Sequence, residues 1–158
     1  MSIAVAKAAR RGLRAVAPWL TNAVASRVLT GAALASLCAS RGTIAMLEML
    51  QADTDLRTRF DRGRTILHIA VRERQAISVI WLLENNYTDL LHQRSSNGET
   101  PLHEAIAAGD TFIVEYILRM GGAASEHPDG NTWDARALSS ENEEMRSIAR
   151  AHRGVHAV

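Results

Sequence analysis

Four glycines punctuate the chain at nearly constant intervals: Gly31, Gly63, Gly98 and Gly130 are separated by 32, 35 and 32 residues. A period near 33 residues is the strongest constraint on what this chain can become. A unit of that length holds one helix–turn–helix, too little to bury an apolar face alone, so successive units must cover one another. The segments that these glycines open are related. Gly63-Arg64-Thr65-Ile66-Leu67-His68-Ile69-Ala70 and Gly98-Glu99-Thr100-Pro101-Leu102-His103-Glu104-Ala105 share Gly, Thr, Leu, His and Ala at the same places. The segment from Gly130 keeps Thr132 and Ala137, with Trp133, Asp134 and Ala135 at the Pro, Leu and His places. The segment from Gly31 keeps the glycine and puts Cys38, small and apolar, where Ala belongs.

Local chemistry says what each copy does. Glycine supplies a tight turn with positive φ. Thr100 then caps a helix whose first position is Pro101, where a missing N–H costs nothing. Leu102, Ala105 and Ile106 lie at i, i+3 and i+4 and form one buried stripe. Gly109 ends this short helix and lets the chain reverse. Ile113, Val114, Ile117 and Leu118 form the stripe of a second helix. Ile77, Val79, Ile80, Leu82 and Leu83 are expected to do the same one unit earlier, and Ile44, Met46, Leu47 and Leu50 the unit before. The stretches 85–97 and 120–129, rich in Gly, Asn, Asp and Ser, read as projecting turns.

This pattern resembles the ankyrin-repeat family, whose signature is a turn followed by T-P-L-H-x-A at a 33-residue period. Residues 100–105 match every fixed position, and residues 65–70 depart only by Ile66 for Pro. The resemblance implies an all-α solenoid of stacked helix–turn–helix units with projecting hairpin-like loops. It spans residues 29–152 as about four repeats with degenerate outer copies, and residues 153–158 read as a flexible tail. The copy at Trp133 is expected to act as a C-terminal cap, because its second helix is polar. The resemblance also implies non-catalytic protein binding, as adaptor or competitive inhibitor, through turn tips and the adjoining face of each first helix. Carried over residue by residue, the binding positions are Asp61, Arg62, Arg64, Arg72, Glu73, Ser96, Asn97, Glu99 and Asn131. Arg62, Arg64 and Arg72 together would suit an acidic patch on a protein partner. A narrower version is an inhibitor resembling the IκB group, which masks Rel-family transcription factors; such short forms also look like host-directed proteins of viruses or intracellular bacteria.

Charge is unevenly distributed. Residues 1–47 carry Lys7, Arg10, Arg11, Arg14, Arg27 and Arg41 and no acid, while residues 48–158 carry a net charge of −5. The repeat region is therefore not expected to bind nucleic acid. Residues 1–28 admit two readings. One is an N-terminal cap or partial repeat whose basic side is solvated. The other is an amphipathic helix with Lys7, Arg10, Arg11 and Arg14 on one face, used as a mitochondrial or membrane-surface address.

Catalytic and metal signatures are missing. His103-Glu104 would need a second His at position 107 for a zinc site, and that position is Ala107. His68 and His103 fall at the family's structural histidine, which stitches a turn to its neighbour. No phosphate-binding glycine loop or nucleophile elbow occurs. The single cysteine, Cys38, precludes an internal disulfide and suits a reducing compartment. No run of 18 apolar residues is present, so no spanning helix is expected. The expectation is a cytoplasmic monomer with no cofactor, no metal and no enzymatic activity.

Overall fold

The computed structural model describes residues 55–124 and 132–156, together with Ala39, Leu47 and Glu48. The expectations for residues 1–28, for the Gly31 turn and for Asn131 fall outside the described residues. Six α-helices occur among those described: α1 (Ile66–Arg72), α2 (Ala76–Glu84), α3 (Pro101–Ala108), α4 (Thr111–Arg119), α5 (Trp133–Leu138) and α6 (Glu143–His156). The boundary expected at residue 152 falls inside α6, which runs on to His156. None of the helices is long and apolar enough to cross a membrane.

Helices this short are marginal alone, so packing must hold them. Each first helix packs on its own second helix: α1 on α2, α3 on α4, α5 on α6. The pairs then stack, α1, α3 and α5 forming one layer and α2, α4 and α6 another. Ala70, Ala105 and Ala137 occupy the same position in the three first helices, and all are fully buried. Their small side chains let neighbouring first helices approach. Leu67, Leu102, Leu82, Ile113 and Ile117 fill the space between the layers. Trp133, Ala137, Met145 and Ala149 close the core at the last pair, while α6 turns Glu143, Glu144 and Arg150 outward.

Helix starts agree closely with the sequence reading. Thr65 and Thr100 are N-caps with nearly identical backbone, φ −93°, ψ 169° and φ −93°, ψ 167°. Pro101 opens α3, and Gly109 ends it in the left-handed region at φ 70°. The equivalent reversal between α1 and α2 is made by Arg74 at φ 56°.

The second helix of this unit departs from expectation. Ile77 is 66% exposed, and Ser78 is fully buried in its stead. The buried set is Ser78, Val79, Trp81, Leu82 and Leu83, of which Ser78, Val79, Leu82 and Leu83 have the same i, i+1, i+4, i+5 spacing as Ile113, Val114, Ile117 and Leu118. Ile77 falls one residue before that stripe, as Phe112 does in α4, where it is 55% exposed. Ile80 is only half-buried. The apolar character of Ile77 and the polar character of Ser78 conceal the register. Nor does the stretch 85–97 simply project: residues 88–92 form a 3-10 turn that buries Leu90 and Leu91, and Tyr87 stacks on Trp81 with ring centroids 6.3 Å apart.

The Ser78 hydroxyl has no hydrogen-bond partner. Its desolvation opposes folding with nothing gained in exchange. Ser78→Ala is therefore expected to stabilise the chain by about 1 kcal/mol, raising Tm by roughly 2–4 °C in a thermal melt. An unchanged or lowered Tm would contradict the assignment.

Candidate binding face

The turns before α1 and α3 are built alike. In the first, the Phe60 N–H donates to the Arg64 carbonyl at 2.7 Å and the Gly63 N–H to the Phe60 carbonyl at 3.0 Å. In the second, Ser95, Glu99 and Gly98 repeat these bonds at 2.8 and 2.9 Å. Gly63 sits at φ 64°, and an added Cβ would come within 2.9 Å of the Ser96 hydroxyl. Arg59 and Arg94, 35 residues apart, each donate to the carbonyl of their own turn's glycine, Gly63 at 2.9 Å and Gly98 at 3.3 Å. Arg59 also reaches the Arg94 carbonyl at 2.6 Å and so ties one turn to the next.

Two further bonds link the turns. The Ser96 N–H donates to the Arg62 carbonyl at 2.8 Å. His68 Nε2 lies 3.0 Å from the Glu99 carbonyl. A carbonyl only accepts, so Nε2 carries the proton. His68 Nδ1 then accepts from the Thr65 N–H at 3.2 Å and the Thr65 hydroxyl at 2.9 Å, closing a reciprocal cap at the start of α1. His103 repeats the contact with the Thr100 hydroxyl at 2.8 Å. Burial pushes the His68 pKa down to about 4, against the pull of the Glu99 carbonyl and with help from the Arg64 and Arg59 charges. This histidine is neutral and structural, the stitching role expected of it.

The residues expected to bind a partner fall at turn tips and helix ends. Arg62 and Asp61 lie in the 3-10 turn Asp61–Gly63, with Arg62 at φ 58°. Ser96 and Asn97 are exposed at the next turn tip. Arg72 ends α1 and Glu73 caps it, both exposed. On α3, Ala107 stands exposed at the place of Arg72. Arg64 differs from its expected neighbours: its Nε donates to Glu104 Oε1 at 3.0 Å, with side chains only 16% and 8% exposed. Glu99 likewise accepts from Arg136 Nη1 at 3.1 Å. Of the three guanidinium groups read together in the sequence, Arg64 is thus engaged within the protein. The sequence reading missed Glu104, Arg136, Arg59 and Arg94 as partners of this face. The 35-residue offset between Arg59 and Arg94 was the available signal.

Among the described residues, no group of three or more His, Cys, Asp or Glu side chains could hold a metal ion. Comparison with known families finds a match to the model of ankyrin repeats, three copies, over residues 35–129. Among individual proteins, the chain is 33% identical over 99 residues to diacylglycerol kinase zeta of Rattus norvegicus, covering 62% of this chain and 11% of the kinase. It is 31% identical over 74 residues to delta-latroinsectotoxin-Lt1a of Latrodectus tredecimguttatus, 46% of this chain and 6% of the toxin. It is 28% identical over 81 residues to alpha-latrotoxin-Lg1a of Latrodectus geometricus, 51% of this chain and 6% of that toxin. The chain thus spans about a tenth or less of the length of these relatives.

The buried neutral His68 makes stability depend on pH. An unfolded imidazole, with its value near 6.5, takes up a proton as pH falls past that point, whereas the folded one resists until about pH 4. Its contribution is complete above pH 6.5 and declines between pH 6.5 and 4, by roughly 3 kcal/mol at most. Urea midpoints are expected to fall across that window in the wild type and to fall distinctly less in His68→Gln. Parallel pH profiles would contradict the assignment.

Proposed function

The chain belongs to the ankyrin-repeat family, and on that premise we propose that it is a non-catalytic binding module that acts as an adaptor or competitive inhibitor by occupying a partner's surface. Ankyrin repeats generally mediate protein–protein interaction and are typically non-catalytic. The observation that carries the reading is the row of exposed side chains from turn tips and first helices, Arg62, Arg72, Glu73, Ser96, Asn97 and Ala107, held on a rigid stack. Interdigitated first helices and mutually bonded turns fix these positions before a partner arrives, which lowers the entropy cost of binding.

Arg72 is an exposed cationic side chain on this face, at the end of α1. An arginine there fits a carboxylate on the partner, and Glu73 beside Arg72 narrows that preference. Arg64 supports the reading differently, by fixing the turn through Glu104.

A face variant separates this reading from its rivals. Arg72→Ala combined with Ala107→Arg alters two exposed side chains without touching the core. A partner captured by the wild type is expected to bind this variant about tenfold or more weakly, measured by calorimetric titration. Glu115→Arg, on the exposed side of α4, should leave affinity within about twofold. Loss of binding in Glu115→Arg alone would place the contact on the opposite layer and overturn the reading.

A further inference from the structure

Ile77 and Phe112 are the exposed large apolar side chains among the described residues. They hold the same repeat position, the second residue of α2 and of α4. In the last unit Asn142 precedes α6 as Asp110 precedes α4, each side-chain oxygen accepting from the N–H three residues on. The matching position there is Glu144. An apolar side chain at this place is therefore not a demand of the repeat. Ile80 and Tyr116 lie one turn further along the same faces, half-buried, and Phe112 stacks on Tyr116 with ring centroids 6.5 Å apart. The Tyr116 hydroxyl donates to Glu84 Oε1 at 3.3 Å, which joins the two helices into one apolar strip. Carboxylates flank the strip: Glu84, Glu115 and Glu144 are exposed. Tyr116 and Thr111 each give a hydroxyl, to Glu84 and Glu144, and a hydroxyl leaves the charge in place. Arg119, at the end of α4, offsets one of the three.

An apolar strip with an acidic rim suits an apolar occupant with a basic rim. A second copy of this face would set carboxylates against carboxylates, and an anionic membrane would be repelled as well. The chain itself carries the complement. Residues 1–20 hold no acid. Lys7, Arg10, Arg11 and Arg14 follow i, i+3, i+4, i+7, and on the same helical wheel Val5, Ala9, Leu13 and Val16 fall on the other side. These residues lie outside the described set. We propose that residues 1–20 dock as an amphipathic helix across α2 and α4, with Val5, Ala9, Leu13 and Val16 on Ile77, Ile80, Phe112 and Tyr116. Arg10 borders the apolar side and is placed to pair with a rim carboxylate, while the other three cations balance the acidic face at longer range. The dimensions agree. Val5 to Val16 covers about 16 Å of helix, against about 10 Å between neighbouring helix axes. The stretch from Leu20 to the buried Ala39 can extend roughly 60 Å, enough to pass one helix pair and reach α4. Docked, the segment closes its apolar side against its own protein and withholds it from membranes.

The test uses the full chain with the photoreactive p-benzoylphenylalanine in place of Phe112, an exposed aromatic that the label imitates. Cross-links formed on irradiation are located by mass spectrometry. A cross-link to residues 1–20 of the same chain is expected. The same label in place of Ser96, at a turn tip, should give none to that segment. Reversing the segment's charges, with Lys7→Glu, Arg10→Glu, Arg11→Glu and Arg14→Glu together, is expected to lower the yield about tenfold. Adding Glu84→Lys, Glu115→Lys and Glu144→Lys should recover most of it. Should the reversed chains fail to fold, the labelled chain without further substitution decides in about 1 M salt, where its yield is expected to fall distinctly. No cross-link to residues 1–20, a cross-link that joins two chains, equal capture from position 96, or a yield indifferent to charge and salt would each overturn the docking.

Discussion

The hydrogen bond from His68 Nε2 to the Glu99 carbonyl joins one helix pair to the turn of the next, and most of the structure is arranged around that need. No pair can bury its apolar side alone, because its helices are six to fourteen residues long and carry one stripe each. Stability must come from neighbours. Apolar contact holds the layers, with Leu67, Leu82, Leu102 and Ile113 fully buried between them. Apolar contact does not fix direction, however. Direction comes from polar groups at the turn edge, where a neutral imidazole, backbone N–H groups and guanidinium groups meet carbonyls at defined angles.

The consequence for binding is economy of charge. The face is not the basic surface that three nearby arginines suggest. Arg59 and Arg94 clasp turn carbonyls, and Arg64 and Arg136 pair with Glu104 and Glu99. The exposed side chains are Arg62 at the first turn, Arg72 and Glu73 at the end of α1, the polar tips Ser96 and Asn97, and small Ala107. That is a mixed, nearly neutral surface on a stiff support, suited to recognition by shape and a few charged contacts.

Much of the fold was legible because short-range chemistry and the repeat agree. Thr65, Thr100, Pro101 and Gly109 each take the place their residue type prefers, and the period fixes the rest. The register of α2 was not legible. Ile77 looks buried and Ser78 exposed, and only the alignment of Ser78 with Ile113 shows the reverse. The 3-10 turn at residues 88–92 was hidden as well, since Leu90 and Leu91 sit in a stretch whose Asn, Asp and Ser content reads as loop. On the candidate face, turn-tip positions come directly from the repeat. The Arg64–Glu104 and Arg136–Glu99 couples do not, because they join residues 40 and 37 positions apart whose partners change sign from one unit to the next.

Successive pairs are tied through a neutral, buried His68 that donates from Nε2, and this tie is open to direct observation. Nitrogen-detected NMR would assign the His68 ring nitrogens from pH 7.5 down to the acid limit of folding. A single tautomer is expected, protonated at Nε2 and bare at Nδ1, persisting until about pH 4. A ring that titrates near its ordinary value, or that carries its proton on Nδ1, would mean that the pairs are not joined in this way.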